Sequence, residues 1–455
     1  MEMGRLFGTD GARGIANKEL TCELAMNIGR AAAMVLTGST GGVHPKILIG
    51  KDTRRSSYML EGALIAGLCS VGADVVLLGA VPTPAVAFLI KEYKADAGIM
   101  ISASHNPFEY NGIKIFSSDG YKLPDALEEE IESIVIDNSK PYYTPVGDAL
   151  GRVSRATDAR ETYIRHIIET VPYRLDGMRI AIDCSNGSAS STAEELFTRL
   201  GAECSMLFNE PDGVNINRDC GSTHLESLQK YVVENGLQAG VAFDGDADRC
   251  LAVDEKGNVI DGDFIMAICA LDLASRNKLS KNTAVGTVMS NMGFSRFCAD
   301  NKLRFVSTDV GDRYVLEAML REGYNFGGEQ SGHVIFLDYS TTGDGQLTAA
   351  QLLSLINRRR AKLSSIATLM TRYPQVLINV KVNNEGKLHF FTNQAVRNKI
   401  EEVKKELGED GRILVRLSGT EPLVRVMLEG LDKEKINRLA NETADLIREK
   451  IGAPS

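Results

Sequence analysis

The sequence predicts an α/β fold: three mixed α/β domains followed by a smaller α+β C-terminal domain. Three observations lead there. The 455 residues are too many for a single hydrophobic core. Short apolar strands alternate with helical patterns through most of the length. After Pro374 the texture changes to strands with one covered face. The expected divisions are 1–151, 152–256, 257–373 and 374–455.

In chain order, Leu24, Ile28, Ala32 and Val35 mark one face of a first helix. Strands follow at Lys46–Gly50, Asp74–Gly79 and Ala97–Ser102. A second unit starting near Arg152 carries strands at Met178–Asp183 and Ala239–Phe243. A third, from Gly257, carries strands at Ala284–Val288 and Phe305–Thr308 and a helical run over Leu347–Leu363. The run Arg358-Arg359-Arg360-Ala361-Lys362 reads as a solvated helix end. In the last unit Val376, Ile378, Val380 and Val382 alternate with polar or outward positions, strands follow at Ile413–Leu417 and Val424–Leu428, and a helix runs from Lys433 to about Ile451. No internal repeat is legible residue by residue.

Composition narrows the function classes. A net charge of −9 offers no general attraction to nucleic acid or an anionic membrane. An anionic substrate therefore needs local arginines and backbone N–H groups. The eight cysteines are scattered without a Cys-x-x-Cys pair, which fits buried thiols in a reducing compartment. Met1-Glu2-Met3-Gly4-Arg5 has no signal-peptide character, and Glu61, Asp74, Pro82 and Pro84 break the most apolar region, Leu60 to Ile90. A cytoplasmic protein is expected.

Four loops carry chemistry. Apolar residues from Ile99 run into Ser102-Ala103-Ser104-His105-Asn106-Pro107, so a buried strand ends in a turn that presents a serine at a sheet edge. Phe243-Asp244-Gly245-Asp246-Ala247-Asp248-Arg249 places three carboxylates at alternate positions after a strand. Three such charges repel unless a cation neutralises them, and hard divalent cations want oxygen ligands. An EF-hand is the competitor, with Asp244, Asp246 and Asp248 at its first, third and fifth positions and Glu255 at its last. It loses because Arg249 stands where that loop needs glycine and a strand, not a helix, enters it.

Gly327-Gly328-Glu329-Gln330-Ser331-Gly332-His333 suits bidentate gripping of neighbouring sugar hydroxyls, and in isolation reads equally as a glycine-rich turn. Arg416-Leu417-Ser418-Gly419-Thr420-Glu421-Pro422, with Arg425 beyond it, can supply several hydrogen bonds to one phosphate dianion. Gly8-Thr9-Asp10-Gly11-Ala12-Arg13-Gly14 is a further glycine-rich loop with an arginine, and a weak signal alone.

Serine turn, triple aspartate, Gly-Glu-Gln-Ser-Gly-His and Arg-x-Ser-Gly-Thr-Glu-Pro, in this order, resemble the α-D-phosphohexomutase superfamily. The resemblance runs from Phe7 to Arg425 and covers all four expected domains, which it implies are arranged around a central cleft. Ile101-Ser102-Ala103-Ser104, the run from Asn215 to His224, and Gln330 bring it closest to the bacterial branch acting on glucosamine phosphates. Ala12 departs from the larger branched residue common there.

The resemblance implies that Ser104 donates and recovers a phosphoryl group, and that Asp244, Asp246 and Asp248 hold Mg²⁺ together with an oxygen on Ser104. It implies that Glu329 and Ser331 grip sugar hydroxyls, and that Arg416, Ser418, Gly419, Thr420 and Arg425 bind the phosphate that does not react. Arg13, His105 and Lys114 would line Ser104, with Lys114 a proton-transfer candidate, and Arg249 would contact substrate or Ser104. The implied reaction interconverts a hexosamine 6-phosphate and 1-phosphate through a 1,6-bisphosphate, feeding UDP-N-acetylglucosamine and cell-wall synthesis. A homodimer is compatible with it. The alternatives are action on glucose or mannose phosphates, or a metal-dependent phosphatase using Asp244 as nucleophile.

Overall fold

Residues 5–8, 10–37, 44–390, 392–417 and 423–452 are described by a computed structural model. The chain divides into two compact units, Met1–Met289 with Asn301–Leu369, and Ser290–Asp300 with Met370–Ser455.

The larger unit holds three sheets. The first contains β1 (Ala12–Ile15), β2 (Lys46–Lys51), β3 (Asp74–Ala80), β4 (Ala97–Ile101), β5 (Tyr110–Ser117) and β6 (Val153–Arg155), in the order β1-β5-β4-β2-β3-β6. The second contains β7 (Arg179–Asp183), β8 (Glu203–Leu207), β9 (Ala239–Phe243), β10 (Cys250–Asp254) and β11 (Val259–Ile260), in the order β11-β10-β9-β7-β8. The third contains β12 (Thr283–Thr287), β13 (Arg304–Thr308), β14 (Phe326–Gly328) and β15 (Val334–Phe336), in the order β13-β12-β14-β15.

One topology recurs in all three. The central strand (β2, β7 or β12) is flanked by two parallel neighbours, and the second of these is followed by an antiparallel return strand. The serine turn joins β4 to β5, the aspartate loop joins β9 to β10, and the Gly-Glu-Gln-Ser-Gly-His loop joins β14 to β15. All three chemical loops thus leave the carboxyl end of the last parallel strand. This repeat escapes a residue-by-residue search because the pairing, not the side-chain sequence, is what repeats.

Local packing follows from the apolar pattern. All five residues of β4 are buried, as a parallel strand covered on both faces requires. Helix Cys22–Thr37 packs on helix Ser56–Ser70 through Ala25, Ile28, Leu60, Leu64 and Leu68. Their approach is close: a Cβ on Gly67 would lie 2.2 Å from the Met26 carbonyl oxygen.

The smaller unit is a three-stranded antiparallel sheet of β16 (Gln375–Lys381), β17 (Gly411–Leu417) and β18 (Leu423–Gly430), ordered β16-β18-β17. Val376, Ile378 and Val380 face its core, while Leu377 points outward. Helix Lys433–Ile451, capped by the Asp432 carboxylate on the Lys435 N–H, buries Ile436, Leu439, Ala440, Thr443, Ala444 and Ile447 along one stripe. Helix Met292–Asp300 belongs to this unit because buried Glu429 accepts from the Met292 N–H, the Asn291 amide and the Arg412 guanidinium.

The helix expected over Leu347–Leu363 instead spans Gly345–Arg359. Arg360 turns left-handed and ends it, and Leu363–Ile366 forms a separate turn of helix. Arg358, Arg359 and Arg360 are exposed, as the helix-end reading expects. No helix among the described residues is long and apolar enough to cross a membrane.

Candidate active site

β4 delivers the chain into a turn that is held from every side. Ser104 has φ +52°, a left-handed backbone rarely adopted by a side-chain-bearing residue. Its N–H donates to Ser102 Oγ at 3.0 Å, and Ser102 Oγ donates to Asp52 Oδ2 at 2.6 Å. Its carbonyl accepts from Arg54 Nη2 at 3.1 Å and from Asn217 Nδ2 at 2.9 Å. Arg54 is fully buried and also pairs with Asp52. These bonds fix the Ser104 hydroxyl, which donates to Asp244 Oδ2 at 2.6 Å and lies 3.3 Å from His105 Nδ1.

The aspartate loop after β9 converges one carboxylate oxygen from each of Asp244, Asp246 and Asp248 to within 4.8 Å of one another. Gly245 lets that loop pass against the serine turn, since a Cβ there would meet the Ser104 carbonyl oxygen at 2.5 Å. Lys114 Nζ on β5 donates to Asp246 Oδ2 at 2.6 Å and sits 3.4 Å from Asp248 Oδ2. Thr83 Oγ1 donates to Asp246 Oδ2 at 2.6 Å. Asp246 Oδ1 and Asp248 Oδ1 are buried with no hydrogen-bond partner. Buried carboxylate oxygens left unsatisfied among three convergent aspartates are a donor set that fits a hard cation.

Burial, then Asp248 and Asp246, hold the Asp244 carboxyl well above the usual carboxylate range. Burial opposes the charge of Lys114, but Asp246 and Asp248 outweigh it and keep the ammonium above its ordinary value. Burial, then Arg249 and Arg13, push His105 down to about 4, so its ring is neutral near pH 7. Arg249 Nη1 lies 3.2 Å from His105 Nδ1, and a guanidinium only donates, so Nδ1 is the acceptor nitrogen.

The third loop is fastened to the second. The Cys250 N–H donates to the Gly332 carbonyl at 3.0 Å, and His333 Nδ1 lies 3.7 Å from Asp248. Glu329 accepts from the Gly311 N–H at 3.1 Å, and burial raises its carboxyl above the ordinary range. Ser331 is exposed.

Ser104, His105, Lys114, Asp244, Asp246, Asp248 and Arg249 thus form one cluster. Arg13, on β1, pairs with Asp10 at 3.0 Å. Arg416 and Arg425 lie in the smaller unit, directly opposite each other on β17 and β18. Burial, then Arg425, lower the Arg416 guanidinium from its ordinary value. Like charges facing across a ladder are unfavourable. Ser418, Gly419 and Thr420 lie outside the described residues.

Sequence reasoning gave no role to Asp52, Arg54, Thr83, Asn217 or His333. The signal for the first two was the charged and hydroxyl run Lys51-Asp52-Thr53-Arg54-Arg55-Ser56-Ser57 straight after β2. Thr83 carried none.

Four family descriptions match the chain: phosphoglucomutase/phosphomannomutase alpha/beta/alpha domain I over residues 4–141, domain II over 161–257, domain III over 261–373 and the C-terminal domain over 377–446. A phosphoglucosamine mutase of Acetivibrio thermocellus is 54% identical over 450 residues, covering 99% of this chain and 100% of the relative. One of Clostridium acetobutylicum is 55% identical over 448 residues, covering 98% and 100%. Among solved structures, a phosphoglucomutase/phosphomannomutase family protein of Burkholderia thailandensis superposes over 100% of both chains with TM-score 0.84 and 25% identity. The chain therefore belongs to the phosphoglucomutase/phosphomannomutase family, beside members that bear the name phosphoglucosamine mutase.

Proposed function

We propose that the chain interconverts glucosamine 6-phosphate and glucosamine 1-phosphate by carrying a phosphoryl group on Ser104. The observation that supports this most is the Ser104 hydroxyl held 2.6 Å from Asp244 beside two unsatisfied aspartate oxygens. Phosphoserine at Ser104 gives its group to the sugar phosphate, making a 1,6-bisphosphate. That intermediate turns end for end and returns its other phosphate to Ser104.

Asp244, Asp246 and Asp248 would hold Mg²⁺ with an oxygen on Ser104. The ion supplies charge neutralisation for the spread negative charge of phosphoryl transfer. Arg249 and Arg13 meet phosphate charge around Ser104. Lys114, kept charged by its carboxylates, has a proton to give to the sugar oxygen. His105, neutral, accepts from the Arg249 guanidinium through Nδ1 and lines Ser104 in that orientation. Glu329 and Ser331 grip sugar hydroxyls, while Arg416, Ser418, Gly419, Thr420 and Arg425 bind the phosphate that does not react.

In this reading the domains at 1–151, 152–256, 257–373 and 374–455 supply the serine, the metal, the sugar grip and the phosphate cradle. The eight free cysteines suit a cytoplasmic enzyme. A homodimer is compatible with the reading.

Both Asp244 oxygens are engaged, by the Ser104 hydroxyl and by the Arg249 N–H at 3.1 Å, which disfavours Asp244 as a phosphatase nucleophile. Gln330 offers an amide donor and acceptor for an amino sugar. Comparing kcat/KM on glucosamine, glucose and mannose 1-phosphates tests the reading. Glucosamine 1-phosphate is expected to be best, and equal or better turnover of either other sugar would overturn the substrate choice.

A further inference from the structure

The carboxyl ends of β2, β3 and β6 open on a cavity of about 760 Å³ in the larger unit, whose lining residue Asp52 reaches the serine turn through Ser102. Parallel sheets of this kind bind ligands at such ends. Its walls carry Lys51, Arg55, Arg155 and Arg160. Lys51 is committed to Glu61 at 2.6 Å. The guanidinium groups of Arg55, Arg155 and Arg160 have no ion-pair or hydrogen-bond partner among the described residues. All three side chains are exposed, so they are free to meet an anion that enters the hollow.

A second positive element points the same way. Helix Ala159–Thr170 begins on the cavity wall, and its Asp158 side chain accepts from the Tyr93 hydroxyl at 2.7 Å without capping the helix. Among the described residues the first N–H groups of that helix have no side-chain acceptor, which favours an anion there. Of the acidic lining residues, Asp52 pairs with Arg54, Glu61 with Lys51, and only Asp212 stands exposed. Tyr58 stands on the wall with 69% of its surface open; the Lys51 ammonium lies 3.8 Å from its ring centroid on one face, and the rest of the ring offers an apolar platform beside the charges.

We propose that this cavity binds a nucleoside diphosphate or its sugar conjugate, with the diphosphate on Arg55, Arg155 and Arg160 and the base against Tyr58. The volume suits a molecule of that size. Three guanidiniums exceed what one phosphate monoester neutralises. A concave site on an acidic protein does not suit a nucleic acid. The binding segment also holds the serine turn, because Asp52 accepts from Ser102 and Arg54 donates to the Ser104 carbonyl.

Isothermal titration of the full chain with uridine diphosphate, adenosine diphosphate, UDP-N-acetylglucosamine and pyrophosphate tests the site. At least one nucleotide is expected to bind saturably. Arg155→Glu combined with Arg160→Glu should weaken it about tenfold or more. Arg160→Gln, a milder change on an exposed side chain, should weaken it in the same direction. Tyr58→Ala should weaken nucleotides but not pyrophosphate, and Asp246→Asn should leave binding intact. The relative strength of the diphosphates and the conjugate identifies the source. Absence of binding by every nucleotide, binding indifferent to both arginine changes, loss in Asp246→Asn, or pyrophosphate binding as tightly as the nucleotides would each overturn the proposal.

Discussion

The Ser104 hydroxyl donates to Asp244 Oδ2 over 2.6 Å, although 140 residues separate the two in the chain. Each sits at the same topological place in its own sheet, directly after the last parallel strand. Bringing two such loops together requires their backbones to touch, and Gly245 provides the contact surface.

Gly245→Ala should therefore damage the site without touching any charged group. The added Cβ would stand 2.5 Å from the Ser104 carbonyl oxygen, so one loop must retreat. Overpacking of this kind costs roughly 1–3 kcal/mol, and a small displacement at a phosphoryl-transfer centre costs about 100-fold in rate. A lowered melting temperature together with a collapsed kcat is expected. An unchanged kcat would show that the contact is not needed.

Asp246→Asn should remove most turnover, by about 1000-fold or more if electrostatic neutralisation is the main catalytic term. It also loosens Lys114 and Thr83, both of which donate to Asp246 Oδ2. Chelation of divalent ions should stop the wild-type protein reversibly. Full activity in excess chelator would remove the metal from the account.

The strands that carry these loops were largely legible. β4 and β9 are uninterrupted apolar runs closed by polar turns, and the metal loop announced itself through charge repulsion alone. The antiparallel returns β5 and β10 were not read, because each follows its loop at once and carries polar or small residues such as Asn111, Gly112 and Lys114. Arg54 could be seen as a charge but not as a buried brace, since burial of a cation depends on partners such as Asp52 and the Ser104 carbonyl. Helix Gln394–Leu407 was also missed. Its charged face hides the few apolar positions, Val396, Val403 and Leu407, that reach the core.

Arg416→Ala should raise KM for the sugar phosphate about 10- to 100-fold and leave a stable fold. Removing one of two like charges that face each other on β17 and β18 also relieves repulsion, so the melting temperature should hold or rise. A change in kcat alone, with KM constant, would argue against a phosphate-holding role.

Asp183 gives a pH signature away from the metal. Burial pushes its carboxyl up to about 7, although it accepts from the Ser185 and Gly221 N–H groups at 2.8 and 2.9 Å. Between the ordinary carboxylate range and about 7 the folded chain keeps this proton while the unfolded chain has lost it. Its contribution is therefore complete at low pH and declines as pH rises through about 7. The melting temperature of wild type relative to Asp183→Asn should fall steadily from pH 5 to 7.5, following the proton linkage. A constant difference would contradict the buried protonated carboxyl.

The central claim is that Ser104 passes its phosphoryl group to the sugar and recovers one. Protein labelled with radioactive phosphate on Ser104, mixed with unlabelled glucosamine 6-phosphate and quenched over single-turnover times, tests it directly. Label should leave Ser104, appear in a sugar 1,6-bisphosphate, and then distribute into glucosamine phosphates with no net release of inorganic phosphate. Label that stays on Ser104, or that emerges as inorganic phosphate at the rate of turnover, would contradict the account.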